Sequence, residues 1–552
     1  MRKNLAVTLT LGLGLATVLI PQSFAAPTEA LSARELNQLR MDIDRERRRE
    51  TLRAMKERQK ESTAVPDAQP PAPAGEFLFR LEKVSHTPST VLTEDEWTKV
   101  TSTWVGKDVT SSELVDLLKA VNGLYRKKGY AVCLAIIRPQ RISNGDLTVT
   151  LIEGKTGRVT ITGANNARES YYRGAIAATE GEVANYREMV NELVRFNMTN
   201  QAQMAVDIHP GEAVGTTDYT VTVSEPSRWG ATVFADSNGS KSTGRARGGA
   251  SFVNRSLFGF NDTLWLMGVA NEGTQTVTGS YSFPLTRFGT RLSLTASAGH
   301  VKVLHGASAD RDVKGRSSLV AARLEHPVFV GNNTKTTLYV ERSRQGSKTD
   351  IYGDLHISDL VINAWSAGAD WFLVTSKALV SASLSLSDRK ARQRVSNARY
   401  HYQLLSGTVS VSADLTDSLT TSLTGAWQAR LAGDAAVSTD YFGLGTSGGV
   451  RGYDNDVISA ENGFWVNWET TRWFDVGAPQ RAGLFAFADA GRLSGYNPYE
   501  KNMLASVGFG VIWPLFKGAN VRATASFPLK RHLSDDTNVS RARADFVASW
   551  VW

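Results

Sequence analysis

The chain has 552 residues, a formal net charge of +8, 42% hydrophobic residues and a mean hydropathy of −0.22. Such a composition would pass for a soluble protein, and so modest a charge, with no basic patch interleaved with aromatics, gives no reason to invoke nucleic acid. A single cysteine, Cys133, excludes an intrachain disulfide and reads as a buried core position.

Met1-Arg2-Lys3, the apolar run Leu5–Ile20 and Ser23-Phe24-Ala25 read as a secretory signal peptide over residues 1–25, with cleavage expected after Ala25. Beyond it no apolar run approaches the roughly 20 residues of a membrane-crossing helix, so any spanning structure must be a closed β-barrel. Within residues 26–60, Ser32-Ala33-Arg34-Glu35 is a capping box, and the absence of Gly and Pro from there to about Lys60 predicts one helix of nearly thirty residues, about 45 Å long. Runs such as Asp44-Arg45-Glu46-Arg47 make it polar on nearly every face, which suits either a solvated helix or one inside an aqueous pore. Residues 61–75 hold Pro66, Pro70, Pro71 and Pro73 and read as an extended linker.

A small α/β module is predicted over residues 76–154. Phe77, Phe79 and Leu81 alternate, capping boxes stand at Thr93–Glu96 and Thr110–Glu113, and Leu114, Leu117, Leu118, Val121 and Leu124 recur at helical spacing. Tyr130–Ile137 and Leu147–Ile152 flank a turn at Asn144-Gly145, which completes a βααββ order. Residues 155–228 repeat that order, with Val159–Thr162, a helix through Tyr186–Phe196, and strands near Met204–Ile208 and Tyr219–Val223 about the turn Pro210-Gly211. Each module would leave a sheet edge open to an added strand.

From Trp229 the pattern turns to period two and stays there. Ala378, Val380, Ala382, Leu384 and Leu386 alternate with serines, and Val521, Ala523, Ala525 and Phe527 alternate with Arg522, Thr524 and Ser526. Segments of about ten residues, apolar on one face and small-polar on the other, are what a lipid-facing barrel strand requires. The roughly 324 residues from Trp229 to Trp552, at about 20 per strand with its connection, accommodate some sixteen strands. Of 13 tryptophans, 11 lie from Trp229 onward, and the chain finishes with Phe546, Ala548, Trp550 and Trp552 on one face.

Within the barrel stands a glycine-rich stretch, residues 442–456, that carries Val450-Arg451-Gly452-Tyr453. About forty residues on, a strand through Ala482–Gly491 puts Phe485, Phe487, Asp489 and Gly491 on one face and alanines on the other. Spacing leaves two readings: a loop cation meeting Asp489 in a wet lumen, or two ordinary polar positions. The glycines at 443, 445 and 448 echo a dinucleotide fingerprint, but the buried strand and following helix it needs are missing, and eight histidines show no metal spacing. There is no enzyme signature and no cofactor is expected.

The chain resembles the TpsB outer-membrane transporters of two-partner secretion, the ShlB/FhaC haemolysin-activator type, which are relatives of the BamA barrel-assembly insertase. Val450, Arg451, Gly452 and Tyr453 match the tip motif of that family's lumenal loop six, and Phe487, Asp489 and Gly491 match its inner-wall motif. Gly129-Tyr130, Pro139-Gln140 and Ile152-Glu153-Gly154 look like a first POTRA domain; Pro210, Gly211, Gly215 and Asp218 look like a second. Asn254, Gly259, Asn261-Asp262, Tyr281, Pro284 and Gly289 look like the first barrel hairpins. The resemblance implies a mainly β protein: a plug helix at 26–60, two periplasmic POTRA domains at 76–154 and 155–228, and a barrel of about sixteen strands at 229–552. It implies recognition and ATP-independent export of a large exoprotein with an N-terminal secretion domain, be it adhesin, haemolysin or contact-dependent toxin. The other partners implied are outer-membrane lipid and the barrel-assembly machinery that inserts the chain, as a monomer. An assembly factor of the BamA type is the rival, and a passive porin, which would not need the modules, is a third reading.

Overall fold

The computed structural model describes residues 77–213, 215–306, 309–353, 355–446, 449–455, 457–477, 480–495, 502–534 and 537–552. The predicted signal peptide (1–25), plug helix (26–60) and linker (61–75) lie outside the described residues. Those described fall into two compact units. One runs to Asn197 and includes Ala202–Glu225; the other comprises Met198–Gln201 and Pro226–Trp552.

The first module contains β1 (Phe77–Leu81), β2 (Lys83–His86), α1 (Glu94–Thr101), β3 (Lys107–Thr110), α2 (Ser111–Lys128), β4 (Leu134–Ile136) and β5 (Asp146–Ile152). Both helices start at the predicted capping boxes: the Thr93 and Thr110 hydroxyls accept from the backbone of Glu96 and Glu113, whose carboxylates accept in return. Leu117, Val121 and Tyr125 on α2 are buried in one core with Leu147 and Val149 of β5. Cys133 joins that core, where burial pushes its thiol up to about 11 and leaves it inert at neutral pH.

The observed order departs from the predicted βααββ in two places. The leading strand is broken at Glu82, because Glu82 and Lys83 both donate their N–H to the Gly145 carbonyl, at 2.9 and 3.3 Å. β1 therefore pairs with the unpredicted β3, while β2 runs parallel to β5 in the sheet β2-β5-β4. Residues 130–133, expected as strand, instead finish α2: Gly129 takes φ 100° and Tyr130 N–H donates to the Tyr125 carbonyl at 2.9 Å.

The second module follows the predicted order, with β6 (Lys155–Thr162), α3 (Glu169–Arg173), α4 (Tyr186–Thr199), β7 (Gln203–Pro210) and β8 (Thr216–Ser224). Its sheet is β6-β8-β7, with β6 and β8 parallel. Tyr172, Phe196 and Tyr219 fill its core.

From Trp229 the chain forms a closed barrel of sixteen strands, each antiparallel to its neighbours. Closure joins the last strand, Arg543–Val551, to the first, Trp229–Asp236, over five residue pairs from Val547↔Asp236 to Val551↔Thr232. Outward side chains such as Val277 (63% exposed), Val320 (63%) and Phe509 (59%) form the lipid face, while Ser293, Ser343, Ser422 and Ser526 are buried on the inner face. The strands are longer than the predicted ten residues in the middle of the barrel, reaching 18 in Thr334–Ile351 and 20 in Leu355–Val374. Crossing the membrane takes only about 9–11 residues. The remainder continues the ladder past the apolar band, with charged side chains in place of apolar ones.

Candidate functional site

The connection between strands Leu419–Gly433 and Asn462–Gly477 is the longest in the barrel among the described residues, and it is packed against the inner wall. A short antiparallel pair, Phe442–Leu444 with Ile458–Ala460, ties its two arms together. Phe442, Leu444, Val450, Tyr453 and Ile458 are buried with Trp465, Leu493 and Leu504 of the wall. This lumenal core lets a polar-lined barrel hold a loop by hydrophobic burial, at about 1.5–3 kcal/mol for each large side chain.

Two glycines shape the tip. Gly449 (φ 86°) passes so close to the wall that a Cβ would fall 2.1 Å from Cδ2 of Trp465, and Gly452 (φ 89°) turns the chain beside Ser526 and Pro528. On the wall, Gly491 leaves room for Leu444, whose Cδ2 would lie 2.7 Å from a Cβ there.

Arg451 is delivered to Asp489. Its Nε donates to Oδ2 and its Nη2 to Oδ1, each at 2.8 Å, and its backbone N–H donates to Oδ2 at 3.0 Å. Nη1 donates to Oε2 of Glu469 at 2.6 Å, and the same oxygen accepts from Nη2 of Arg522 at 2.6 Å. The guanidinium of Arg451 stacks on Phe487 (3.6 Å to the ring centre), and that of Arg522 on Phe485 (4.0 Å). The Asp489 side chain is fully buried and that of Glu469 is 8% exposed, so the group is a shielded network of two cations and two anions. Bidentate, stacked and dry geometry is what makes such pairs strong.

Tyr453 fixes the far side of the tip. Its hydroxyl donates to the Ala505 carbonyl at 2.8 Å and accepts from Lys530 N–H at 3.1 Å, and Arg543 Nη1 donates to its carbonyl at 3.0 Å. Arg543 also pairs with Asp454 at 3.0 Å. At the base of the loop, Asp440 lies between Arg389, whose Nη2 donates at 2.9 Å, and the Tyr402 hydroxyl, which donates at 2.5 Å.

Of the two predicted barrel motifs, Arg451 meets Phe487 and Asp489 directly, while Val450, Gly452 and Tyr453 pack the tip against the wall and Gly491 makes room for Leu444 of the same loop. Sequence reading missed Glu469, Arg522, Asp440 and Arg543. Parity was the available signal for the first two: Glu469 is directly opposite Phe487 across the ladder, and Arg522 shares the inward face with Ser526.

The module motifs are structural devices. Gln140, after Pro139, holds β5 by its side-chain amide, with Nε2 donating to the Thr148 carbonyl (2.7 Å) and Oε1 accepting from Thr148 N–H (2.9 Å), in imitation of a neighbouring strand. Glu153, just past β5, accepts from Thr90 N–H (2.9 Å), the Ser89 hydroxyl (2.5 Å) and the Tyr125 hydroxyl (3.1 Å). Burial raises its pKa, but the hydrogen bonds from Ser89 and Thr90 outweigh this and hold the carboxyl below its ordinary value. Glu225, just past β8, repeats the arrangement with the N–H groups of Asn165, Asn166 and Ala167 and the Tyr172 hydroxyl. Gly154 lets the chain pass the Val132 carbonyl, 2.9 Å from where a Cβ would stand. In the second module Pro210 pairs with Thr217, Gly211 N–H donates to the Thr216 carbonyl at 2.9 Å, Gly215 has φ 81°, and Asp218 accepts from Arg158 N–H at 2.8 Å. None of these module residues lies in the ion-pair network.

A sixteen-stranded membrane barrel whose longest connection is clamped to its inner wall, preceded in the chain by small α/β modules, is an outer-membrane barrel of the POTRA-bearing class. Residues 79–154 match the model of the ShlB-type POTRA domain, and residues 215–512 match that of the haemolysin secretion/activation protein ShlB/FhaC/HecB. The chain belongs to the ShlB/FhaC/HecB family: it is a TpsB transporter of two-partner secretion, seated in the outer membrane with its POTRA domains in the periplasm. It is similar to the heme/hemopexin transporter protein HuxB of Haemophilus influenzae, 23% identical over 402 residues, which cover 69% of this chain and 70% of HuxB. Among solved structures it resembles CdiB from Escherichia coli, with a TM-score of 0.67 at 19% identity, covering 94% of this chain and 98% of that one. BamA from Haemophilus ducreyi shares the fold more distantly, with a TM-score of 0.51 at 12% identity over 86% of this chain and the whole of that one. Secretion rather than barrel assembly is the family's role.

Proposed function

We propose that this transporter exports a large exoprotein through its barrel, without ATP and without catalysis of its own, and that loop six must be clamped by Arg451 for export to proceed. The observation that carries this reading is the buried network of Arg451, Asp489, Glu469 and Arg522. A structural brace alone would be served by the apolar contacts of Phe442, Leu444 and Tyr453; a largely buried, charge-balanced cluster at the loop tip, with both carboxylates shielded, is costly unless a defined loop position matters. The POTRA modules fit the receiving end: β4 and β7 are edge strands, and although the Asn122 and Asn197 side chains occupy backbone groups of Ala135 and Met204, residues 206–210 of β7 are left for backbone pairing to an extended client segment whatever its side chains. The relatives named above suggest the partner's class and leave its identity to the experiment.

Arg451→Ala leaves the buried Asp489 without its partner, and Asp489→Ala leaves the network one anion short with Arg451 held by Glu469 alone, each at a cost of about 3–5 kcal/mol. Each is expected to abolish or sharply reduce secretion while heat-modifiable barrel persists in the outer membrane, and the double variant is expected to be less than additively worse. Normal secretion by either single variant, or fully additive defects, refutes the clamp.

A further inference from the structure

The outer wall changes character along the long strands Lys314–Val330, Thr334–Ile351, Leu355–Val374, Ala378–Gln393 and Ala398–Thr416. Leu324, Val340, Ala367, Leu386 and Leu405 form one outward cross-strand row in register, and this row is wholly apolar. The next outward row holds Trp365, 56% exposed, with Arg342 stacked on it at 5.3 Å, as at a membrane interface.

Beyond Trp365 the rows become basic. Val320, Arg344, Asn363, Lys390 and His401 are aligned in the first of them, Arg392 is directly opposite Arg399 in the second, and Arg316, Lys348 and Asp359 are aligned in the third. All six Arg and Lys side chains are exposed.

Like charges directly opposite each other destabilise a sheet. Elsewhere on this wall the protein relieves the problem itself, since Lys302 and Lys314, also opposite, share Asp312 at 3.7 and 2.7 Å. Asp359 reaches Lys348 (3.6 Å) and Arg394 (3.7 Å), and Asp388 pairs with His401 (2.7 Å). Among the described residues no carboxylate forms an ion pair with Arg316, Arg344, Lys390, Arg392 or Arg399. The surface is built with an excess of cations that an outside anion would neutralise.

Depth identifies that anion. Counted in hairpins from Trp229, where the chain arrives from the periplasm, these strand ends are at the cell-surface side. At about 3.3 Å per residue, the three rows lie roughly 7, 13 and 20 Å along the strand beyond Trp365. The headgroup layer of an ordinary phospholipid leaflet is only about 5–8 Å thick. With barrel strands tilted by about 40°, the cations spread over about 10 Å of depth, more than that layer, and match a lipid whose several phosphates sit on a large saccharide headgroup.

We propose that this outward basic face binds a phosphorylated saccharolipid of the outer leaflet. The site is on the lipid-facing exterior, so it stands or falls independently of the client and of the loop-six clamp.

The test uses the full-length protein in mixed micelles, with bisphosphorylated lipid A as the probe and dephosphorylated lipid A, phosphatidylglycerol and inorganic phosphate as comparisons. Lipid retained per barrel is read by native mass spectrometry. Bisphosphorylated lipid A is expected to be retained preferentially. Retention should fall about fivefold for each cation removed, in Arg392→Gln with Arg399→Gln and in Arg344→Gln with Lys390→Gln, and should persist in the Arg392→Lys with Arg399→Lys pair. All variants should remain heat-modifiable, because these side chains are exposed. Equal retention of dephosphorylated lipid A or phosphatidylglycerol, wild-type retention by the four-fold Gln variant, or equally tight binding of free phosphate would overturn the proposal.

Discussion

The carbon of the Arg451 guanidinium lies 3.6 Å from the centre of the Phe487 ring, while two of its nitrogens face the two oxygens of Asp489. Ring and carboxylate together demand a flat, forked cation. Lysine keeps the charge but has neither the plane to stack nor the second donor in fixed geometry. Arg451→Lys is therefore expected to lose at least about 1.4 kcal/mol of loop docking, a tenfold shift in the docked fraction, and to secrete far less than the parent. Secreted partner normalised to heat-modifiable barrel is the measurement; wild-type export by Arg451→Lys would mean that charge alone suffices.

Glu469 carries the coupling between the loop and the wall, since its Oε2 accepts from both Arg451 and Arg522. Glu469→Gln leaves Arg451 its three hydrogen bonds to Asp489 but strands Arg522. The expected loss, about 1–3 kcal/mol, is smaller than that for Asp489→Ala. Adding Arg522→Gln restores charge balance and should recover part of it. A double-mutant cycle on the thermal midpoint of the barrel reads the coupling, and strict additivity would deny it.

Gly449 and Gly353 separate backbone strain from crowding. Both have positive φ, 86° and 91°, but a Cβ at Gly353 meets nothing within 4 Å, whereas at Gly449 it strikes the Trp465 ring. Gly353→Ala should cost about 1–2 kcal/mol and leave export intact. Gly449→Ala should displace the loop, seen as new protease cleavage between residues 442 and 456 together with lost export. Identical behaviour of the two variants would rule out the close approach.

The POTRA unit should carry a pH signature at Glu153. Its carboxyl is held below the ordinary value in the folded state, so its contribution is complete above the unfolded carboxylate pKa of about 4.3 and is lost as pH falls through the lower folded value. In a fragment of residues 76–228, Glu153→Gln should cost about 1–3 kcal/mol at pH 7. The gap to wild type should narrow when both are melted below about pH 4. A gap unchanged at pH 3 would show that the ionised carboxylate contributes nothing.

The sequence by itself determined the class of this protein. Period-two alternation from Trp229 onward fits a sheet with one apolar face, in a sandwich or in a membrane barrel. The predicted signal peptide, the late tryptophans and the number of strands decide for the barrel, and strand number and inward parity followed from local pattern. Thr93 with Glu96 and Thr110 with Glu113 set the helix starts within a few residues of chain, and were legible for the same reason. Only the tertiary structure decided what depends on groups far apart in the chain. β1 left its expected sheet because the Gly145 carbonyl, more than sixty residues on, accepts from Glu82 and Lys83. Arg451 could be matched to Asp489 by motif, yet Glu469 and Arg522 belong to two further strands, and their side chains converge only when closure fixes the register of every hairpin. The basic face outside the barrel has the same origin: Arg392 and Arg399 look like scattered charges in the chain, and the ladder sets them side by side. Alternation fixes which face a residue takes, but hydrogen-bond register fixes its neighbours, and register is a property of the closed sheet.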